Sequence, residues 1–187
     1  MSQGGADTMA VSIHIDIARQ ELRLYGHGHG HGDGDGRAPL AGYPISTALH
    51  GPGETQGSGC TPRGLHRVRA KVGAGCAPGT VFVGRRPTGE VYSPELAAAH
   101  PGRDWILTRI LWLTGCEPGI NRGGAVDTLR RYIYIHGCPD DCAMGVPLSH
   151  GCVRMRNGDV VDLFERVEVG AGVRVEAGPP DGPQPMP

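Results

Sequence analysis

Apolar residues along this chain recur mostly at alternate positions in short runs, the period of a strand with one buried face. Ile13, Ile15 and Ile17 occupy odd positions, whereas Leu22 and Leu24 occupy even ones. One continuous strand would send the two groups to opposite faces, so a turn is expected near Ala18-Arg19-Gln20. Tyr43 to Leu49, Leu65 to Val72 and Thr80 to Val83, each bounded by Gly or Pro, read as further strands of one sheet. The two most apolar runs, Trp105 to Leu113 and Leu129 to Ile135, read as central strands. The second puts Tyr132 and Tyr134 on one face and delivers His136 to the sheet's edge. Helical signals are fewer. Glu95 to His100 has high helix propensity and stops at Pro101. Val160, Val161, Phe164 and Val167 follow the polar start Asn157-Gly158-Asp159 at helical spacing and should lay one apolar face on the sheet. Gly170 to Glu176 reads as a last strand. The expected fold class is mainly β, a sandwich or barrel-like core with one or two short helices.

Composition narrows this without changing it. A chain of 187 residues suffices for one domain with a proper core, and 32 glycines, 16 prolines and 5% aromatic content favour short strands and many turns. The domain is expected over residues 11–176, after a flexible stretch 1–10 and before a disordered proline-rich tail 177–187. Gly115 to Gly124 reads as a loop, and Gly26 to Gly36 as a low-complexity hairpin tip. That tip holds three histidines, but glycine at every second position denies them fixed geometry, so no metal is expected there. A formal net charge of −1 argues against nucleic acid as a partner, and no stretch is long and apolar enough to span a bilayer. The first ten residues lack the basic and apolar regions of a secretory signal. With an odd number of cysteines left once a free nucleophile is set aside, the expected location is cytoplasmic, or the periplasm and cell envelope if the natural start lies elsewhere.

The chemistry concentrates in Ser149-His150-Gly151-Cys152-Val153-Arg154. A free thiol is only slightly ionised near neutrality and needs an imidazole to take its proton. His136, at the end of an apolar run 16 residues upstream, is the candidate base, and Cys152 the candidate nucleophile. On residues alone, a small buried cysteine and a satisfied strand-end histidine compete with that assignment.

Ile135-His136-Gly137 followed by Ser149 to Met155 resembles the catalytic motif of the L,D-transpeptidase (YkuD-domain) family of peptidoglycan cysteine acyltransferases. Ile13-His14-Ile15-Asp16 to Tyr25 resembles that family's opening hairpin, and Tyr43-Pro44-Ile45-Ser46-Thr47-Ala48 with Thr61-Pro62-Arg63-Gly64 resembles a further family segment, so residues 11 to about 176 are covered. The resemblance implies a β-rich fold with a mobile segment near the Glu95 helix. It implies attack by Cys152 on the bond between diaminopimelate and D-alanine of a peptidoglycan stem tetrapeptide or muropeptide, a thioester, transfer to an amine, no cofactor, and carbapenem-type β-lactams as covalent inhibitors. The backbone N–H groups of His150, Gly151 and Cys152 are the family-like oxyanion donors. The His150 side chain either buttresses the loop or takes part directly. Arg154 either forks onto a substrate carboxylate or forms a local salt bridge. Ser149 and Gly137 complete the expected substrate-binding set. Cys138 departs from the Thr or Ser of many relatives, and with Cys142 it is expected to pack as a reduced side chain, a regulatory disulfide or soft-metal ligation being the other readings. Two other functions stay open: an L,D-carboxypeptidase passing the thioester to water during wall recycling, and a non-catalytic zinc module built from His136, Cys138, Cys142 and Cys152.

Overall fold

The computed structural model describes residues 11–26 and 38–178; the expectations for the N-terminal ten residues, for the insert beyond Gly26 and for the tail from 179 lie outside them. Strands β1 (Val11–Asp16) and β2 (Glu21–Gly26) form the expected hairpin. Their antiparallel register sets Ile13 against Leu24 and Ile15 against Leu22, so the odd set and the even set face one core. Gln20 closes the turn in a left-handed conformation, φ 51°, with its side-chain amide donating to the Ile17 carbonyl at 2.6 Å.

Eight more strands complete one sheet. They are β3 (Ala41–Pro44), β4 (Gly64–Val72), β5 (Thr80–Val83), β6 (Arg86–Val91), β7 (Ile106–Gly115), β8 (Tyr134–Gly137), β9 (Val153–Met155) and β10 (Gly172–Glu176). The order is β3-β2-β1-β10-β4-β7-β5-β6, with β8 added to β7 and β9 added to β8. The sheet curls around one apolar core that includes Ile15, Leu22, Val68, Leu111, Ile135 and Val153. Helix α2 (Asn157–Arg166) packs against β7 and β8 and presses Val160, Leu163 and Phe164 into that core. Each large side chain fully buried there contributes about 1.5–3 kcal/mol. Helix α1 (Pro94–Ala99) begins where expected, the Ser93 hydroxyl capping the Leu96 N–H and Pro94 filling the first position. Its Leu96 and Ala97 lean on Val81, Trp105 and Leu107.

Four departures from the sequence pattern bear on the site. Leu129 to Ile135 is not one strand: residues 128–132 form turns, and β8 starts only at Tyr134. Asp127 causes this, its carboxylate accepting the Arg130 N–H at 3.0 Å and its carbonyl the Arg131 N–H at 3.0 Å, while Tyr132 adopts φ 56°. Tyr132 and Tyr134 therefore share no strand, although both rings meet Trp112. Residues 45–49 leave the sheet after β3 and run beside the Cys152 loop through bridges from Ser46 to Arg154 and from Ala48 to Ser149. β6 was not expected, because its Arg-Pro-Thr-Gly-Glu-Val sequence is the exposed, polar, proline-bearing type confined to sheet edges. Asn157, read as part of a polar helix start, donates its amide to the Cys138 carbonyl at 3.0 Å and so ties α2 to the end of β8.

Candidate active site

β8 and β9 run parallel, Ile135 beside Val153 and His136 beside Arg154. Ile135 and Val153 point into the main core, so alternation turns Tyr134, His136 and Arg154 to the other face. Cys152, one residue before β9, joins that second face, where it packs with Phe82, Ile110 and Trp112 around Tyr134. The Tyr134 N–H donates to Cys152 Sγ at 3.4 Å, and the thiol points to the Tyr132 carbonyl at 3.5 Å. Sequence and fold thus bring the expected nucleophile and base onto one surface of neighbouring strands. In this conformation the sulfur bonds to the Tyr132 and Tyr134 backbone.

His136 is 1% exposed, and its Nδ1 lies 2.8 Å from the Gly137 carbonyl. A carbonyl only accepts, so Nδ1 carries the proton and Nε2 keeps the lone pair that a base needs. Gly137 is required by this approach: a Cβ there would lie 2.8 Å from the Leu107 carbonyl oxygen and 2.6 Å from Asn157 Oδ1. Burial pushes the His136 pKa below its ordinary value, with the Gly137 carbonyl and Asp104 opposing. Burial pushes the Cys152 thiol up to about 12, against the Tyr134 N–H, Arg154 and Arg131, which favour the thiolate. Both shifts favour the neutral forms, thiol and imidazole.

The loop carrying Cys152 is held from behind. The Ser149 hydroxyl donates to the Cys152 carbonyl at 2.5 Å and accepts the Gly151 N–H at 3.2 Å, and Thr61 donates to the Gly151 carbonyl at 3.0 Å. Ser149 and Leu148 also donate their N–H groups to the Thr47 carbonyl. Gly151 takes φ 132°, which side-chain-bearing residues rarely adopt. Three of the expected site residues are thus engaged within the protein. Ser149, 1% exposed, braces the Cys152 loop, and buried Gly137 receives the His136 Nδ1–H on its carbonyl. The Gly151 N–H is already bound to the Ser149 hydroxyl.

Around this centre stand residues that the sequence did not single out. Asp104, between α1 and β7, accepts from Arg154 Nη2 at 2.7 Å and lies 3.7 Å from His150 Nδ1. Arg154 is thus engaged in the local salt bridge, and the exposed His150 side chain hangs over the same carboxylate. Arg131 reaches the Gly53, Glu54 and Cys60 carbonyls at 3.0, 2.7 and 2.6 Å and organises the loop before Thr61. Arg85, at the β5–β6 turn, donates to the Tyr134 hydroxyl at 2.9 Å and lies over Trp112 at 4.5 Å and Tyr132 at 5.1 Å. Asp104, Arg131 and Arg85 all act across long sequence separations that no local pattern signals. All six cysteines are free thiols. Cys138 is buried, bonded to the Met155 carbonyl at 3.4 Å and close to Cys142, with burial and Cys142 raising its pKa. Among the described residues no three His, Cys, Asp or Glu side chains are grouped to hold a metal ion.

The family model of the L,D-transpeptidase catalytic domain, YkuD, matches residues 10–175. A stretch of 44 residues is 48% identical to Probable L,D-transpeptidase YbiS of Escherichia coli K12, covering 24% of this chain and 14% of YbiS. Bd1075 of Bdellovibrio bacteriovorus superposes with a TM-score of 0.54 at 13% identity, over 92% of this chain and 50% of its own. L,D-transpeptidase 3 of Mycobacterium tuberculosis, solved with a faropenem-derived adduct, superposes with a TM-score of 0.50 at 18% identity, over 90% of this chain and 60% of its own. The chain spans about half the length of the first of these structures and three fifths of the second. The mainly β, curled-sheet fold is the one these structures share.

Proposed function

The chain belongs to the YkuD family of L,D-transpeptidase catalytic domains, and on that premise we propose that it carries out cysteine-dependent acyl transfer on peptidoglycan stem peptides. The observation that carries the proposal is the shared face of Cys152 and His136, with the imidazole fixed through Nδ1 so that Nε2 is the free base.

As the thiol rotates from Tyr132 toward Nε2, the imidazole takes its proton and sulfur attacks the carbonyl carbon between diaminopimelate and D-alanine. The Tyr134 N–H stabilises the thiolate as it forms, and the Cys152 N–H donates to the oxyanion. The C–N bond breaks, His136 returns its proton to the departing D-alanine amine, and the acyl group remains as a thioester on Cys152. An acceptor amine then attacks the thioester, its proton passes to His136, and the thiol is restored. No cofactor enters these steps. β-Lactams, one of which left the adduct on the Mycobacterium tuberculosis relative, should acylate the same sulfur.

Intact-mass spectrometry after exposure to a carbapenem should show one adduct, mapped to Cys152 and absent from Cys152→Ala. An adduct on Cys138 would overturn the assignment. Incubation with a disaccharide-tetrapeptide and D-methionine should yield the exchanged tetrapeptide; release of tripeptide alone would make water the acceptor and the enzyme an L,D-carboxypeptidase.

A further inference from the structure

The face that carries Cys152 continues past Trp112 into a cavity of about 610 Å³ whose lining includes Arg67, Arg69, Arg122 and Arg130 together with Asp127 and Leu129. Its position follows from strand register. Arg67 on β4 pairs with Thr114 on β7, and Thr114 lies two residues beyond Trp112 on the same side of the strand. At about 3.4 Å per residue, the cavity begins one side-chain step, about 7 Å, from the indole. Leu129 seals the boundary, its carbonyl accepting the Trp112 Nε1–H at 3.3 Å. The aromatic group of Trp112, Tyr132 and Tyr134 thus separates this basic groove from the nucleophile.

Charge marks the groove as a concentration of guanidinium groups unpaired among the described residues. Arg19, Arg23, Arg63, Arg103, Arg154 and Arg166 each face a carboxylate. Among the described residues none of the four groove arginines makes an ion pair with a carboxylate within 4.0 Å, although the charge of Arg130 helps to lower the Asp127 pKa. The acid in the lining, Asp127, is committed to its own loop, accepting the Gly123 N–H at 2.8 Å and the Arg130 N–H at 3.0 Å, and the Arg130 N–H bond leads the effects that lower its pKa. Four cations against one carboxylate leave a local charge of +3 on a chain whose formal net charge is −1. Like charges gathered in a concavity repel one another and raise the local concentration of anions. A lone carboxylate would leave most of this charge uncompensated. A diphosphate group brings two to three negative charges and enough acceptor oxygens for several guanidinium forks at once.

We propose that this groove is a binding site for a phosphate-bearing ligand of the diphosphate class, adjoining the acyl-transfer centre and independent of its chemistry. The probe is inorganic pyrophosphate, titrated calorimetrically into the full chain at low ionic strength. Saturable one-to-one binding is expected, unchanged in Cys152→Ala and at least tenfold weaker in Arg67→Gln/Arg130→Gln. Citrate, an anion of similar charge but carrying carboxylates, should bind at least tenfold more weakly than pyrophosphate. Should the β4 substitution lower the thermal midpoint, Arg122→Gln/Arg130→Gln, confined to the loop, gives the same reading. Absence of saturable binding, equal affinity for citrate, or binding indifferent to both arginine pairs would overturn the proposal. Loss of pyrophosphate binding would leave carbapenem acylation of Cys152 untouched, so this site and the acyl-transfer reading fail separately.

Discussion

Cys152 and His136 share one face at the proposed centre, and burial sets the pH at which each changes charge. The His136 pKa is depressed by burial, so the imidazole stays an unprotonated base below its ordinary 6.5, while Cys152, pushed up to about 12, keeps its proton through neutrality. Acylation by a β-lactam should therefore hold level from neutral pH down past 6.5 and fall only at lower pH, as His136 gains a proton. His136→Ala should cost on the order of 10²- to 10⁴-fold in the acylation rate, the range of a lost general base. A rate–pH profile that already falls above pH 7 would show a thiolate–imidazolium pair instead. Cys152 and His136 could be proposed from the sequence because a nucleophile and its base must be particular residue types. Asp104 and Arg85 could not, since each joins the site across 50 and 49 residues through contacts that only the folded sheet creates. Ser149 could be proposed as a member of the site, but its bond to the Cys152 carbonyl could not. A serine beside a nucleophile reads as a substrate contact, and only the folded loop shows its hydroxyl turned onto that carbonyl.

At the scale of elements, the Cys152 loop is less a property of its own sequence than of the segments beneath it. Residues 46–49 bond to it on one side and Thr61 on the other, the Thr61 hydroxyl serving both the Gly151 carbonyl and the Ala48 N–H, each at 3.0 Å. Thr61→Val keeps the shape but strands both backbone groups, an expected loss of about 1–3 kcal/mol of stability. The urea midpoint should fall with an unchanged slope, and kcat should fall more than KM rises, because the loop that aims the Cys152 N–H loosens while the binding face remains. Equal kcat in the variant would show that the loop holds itself. The β1–β2 hairpin was legible because the parity of its apolar positions admits one register. The strand at Leu129 to Ile135 was misread because the Asp127 turn and the left-handed Tyr132 outweigh local apolarity. β9, at three residues, is too short to carry a period and exists by virtue of β8 and Ser46 beside it.

For the whole molecule, one curled sheet closed by α2 around a single main core should unfold cooperatively, so the buried titratable groups act on one transition. Burial lowers the pKa of His66 to about 4, its ring lying between the Gly64 carbonyl and the Thr128 hydroxyl, and lowers that of His136. Below about 6.5 the unfolded chain binds protons that these folded imidazoles refuse, so stability declines as pH falls from 6.5 toward 4. Burial raises the thiols of Cys152, to about 12, and of Cys138. Above the ordinary thiol value of 9 the unfolded chain releases protons that the folded thiols retain, so stability declines as pH rises from 9 toward 12. Each such group changes stability by about 1.4 kcal/mol per pH unit traversed between its two pKa values. The urea midpoint should accordingly form a plateau between pH 6.5 and 9 and drop on both sides. His66→Gln should flatten the acid limb and leave the alkaline one in place, and Cys138→Ala should do the reverse. An acid limb of the same steepness in wild type and His66→Gln would mean that proton uptake by His66 does not drive acid unfolding, and that the carboxylate pairs, such as Glu54 with Arg63 and Asp162 with Tyr43, carry that loss instead.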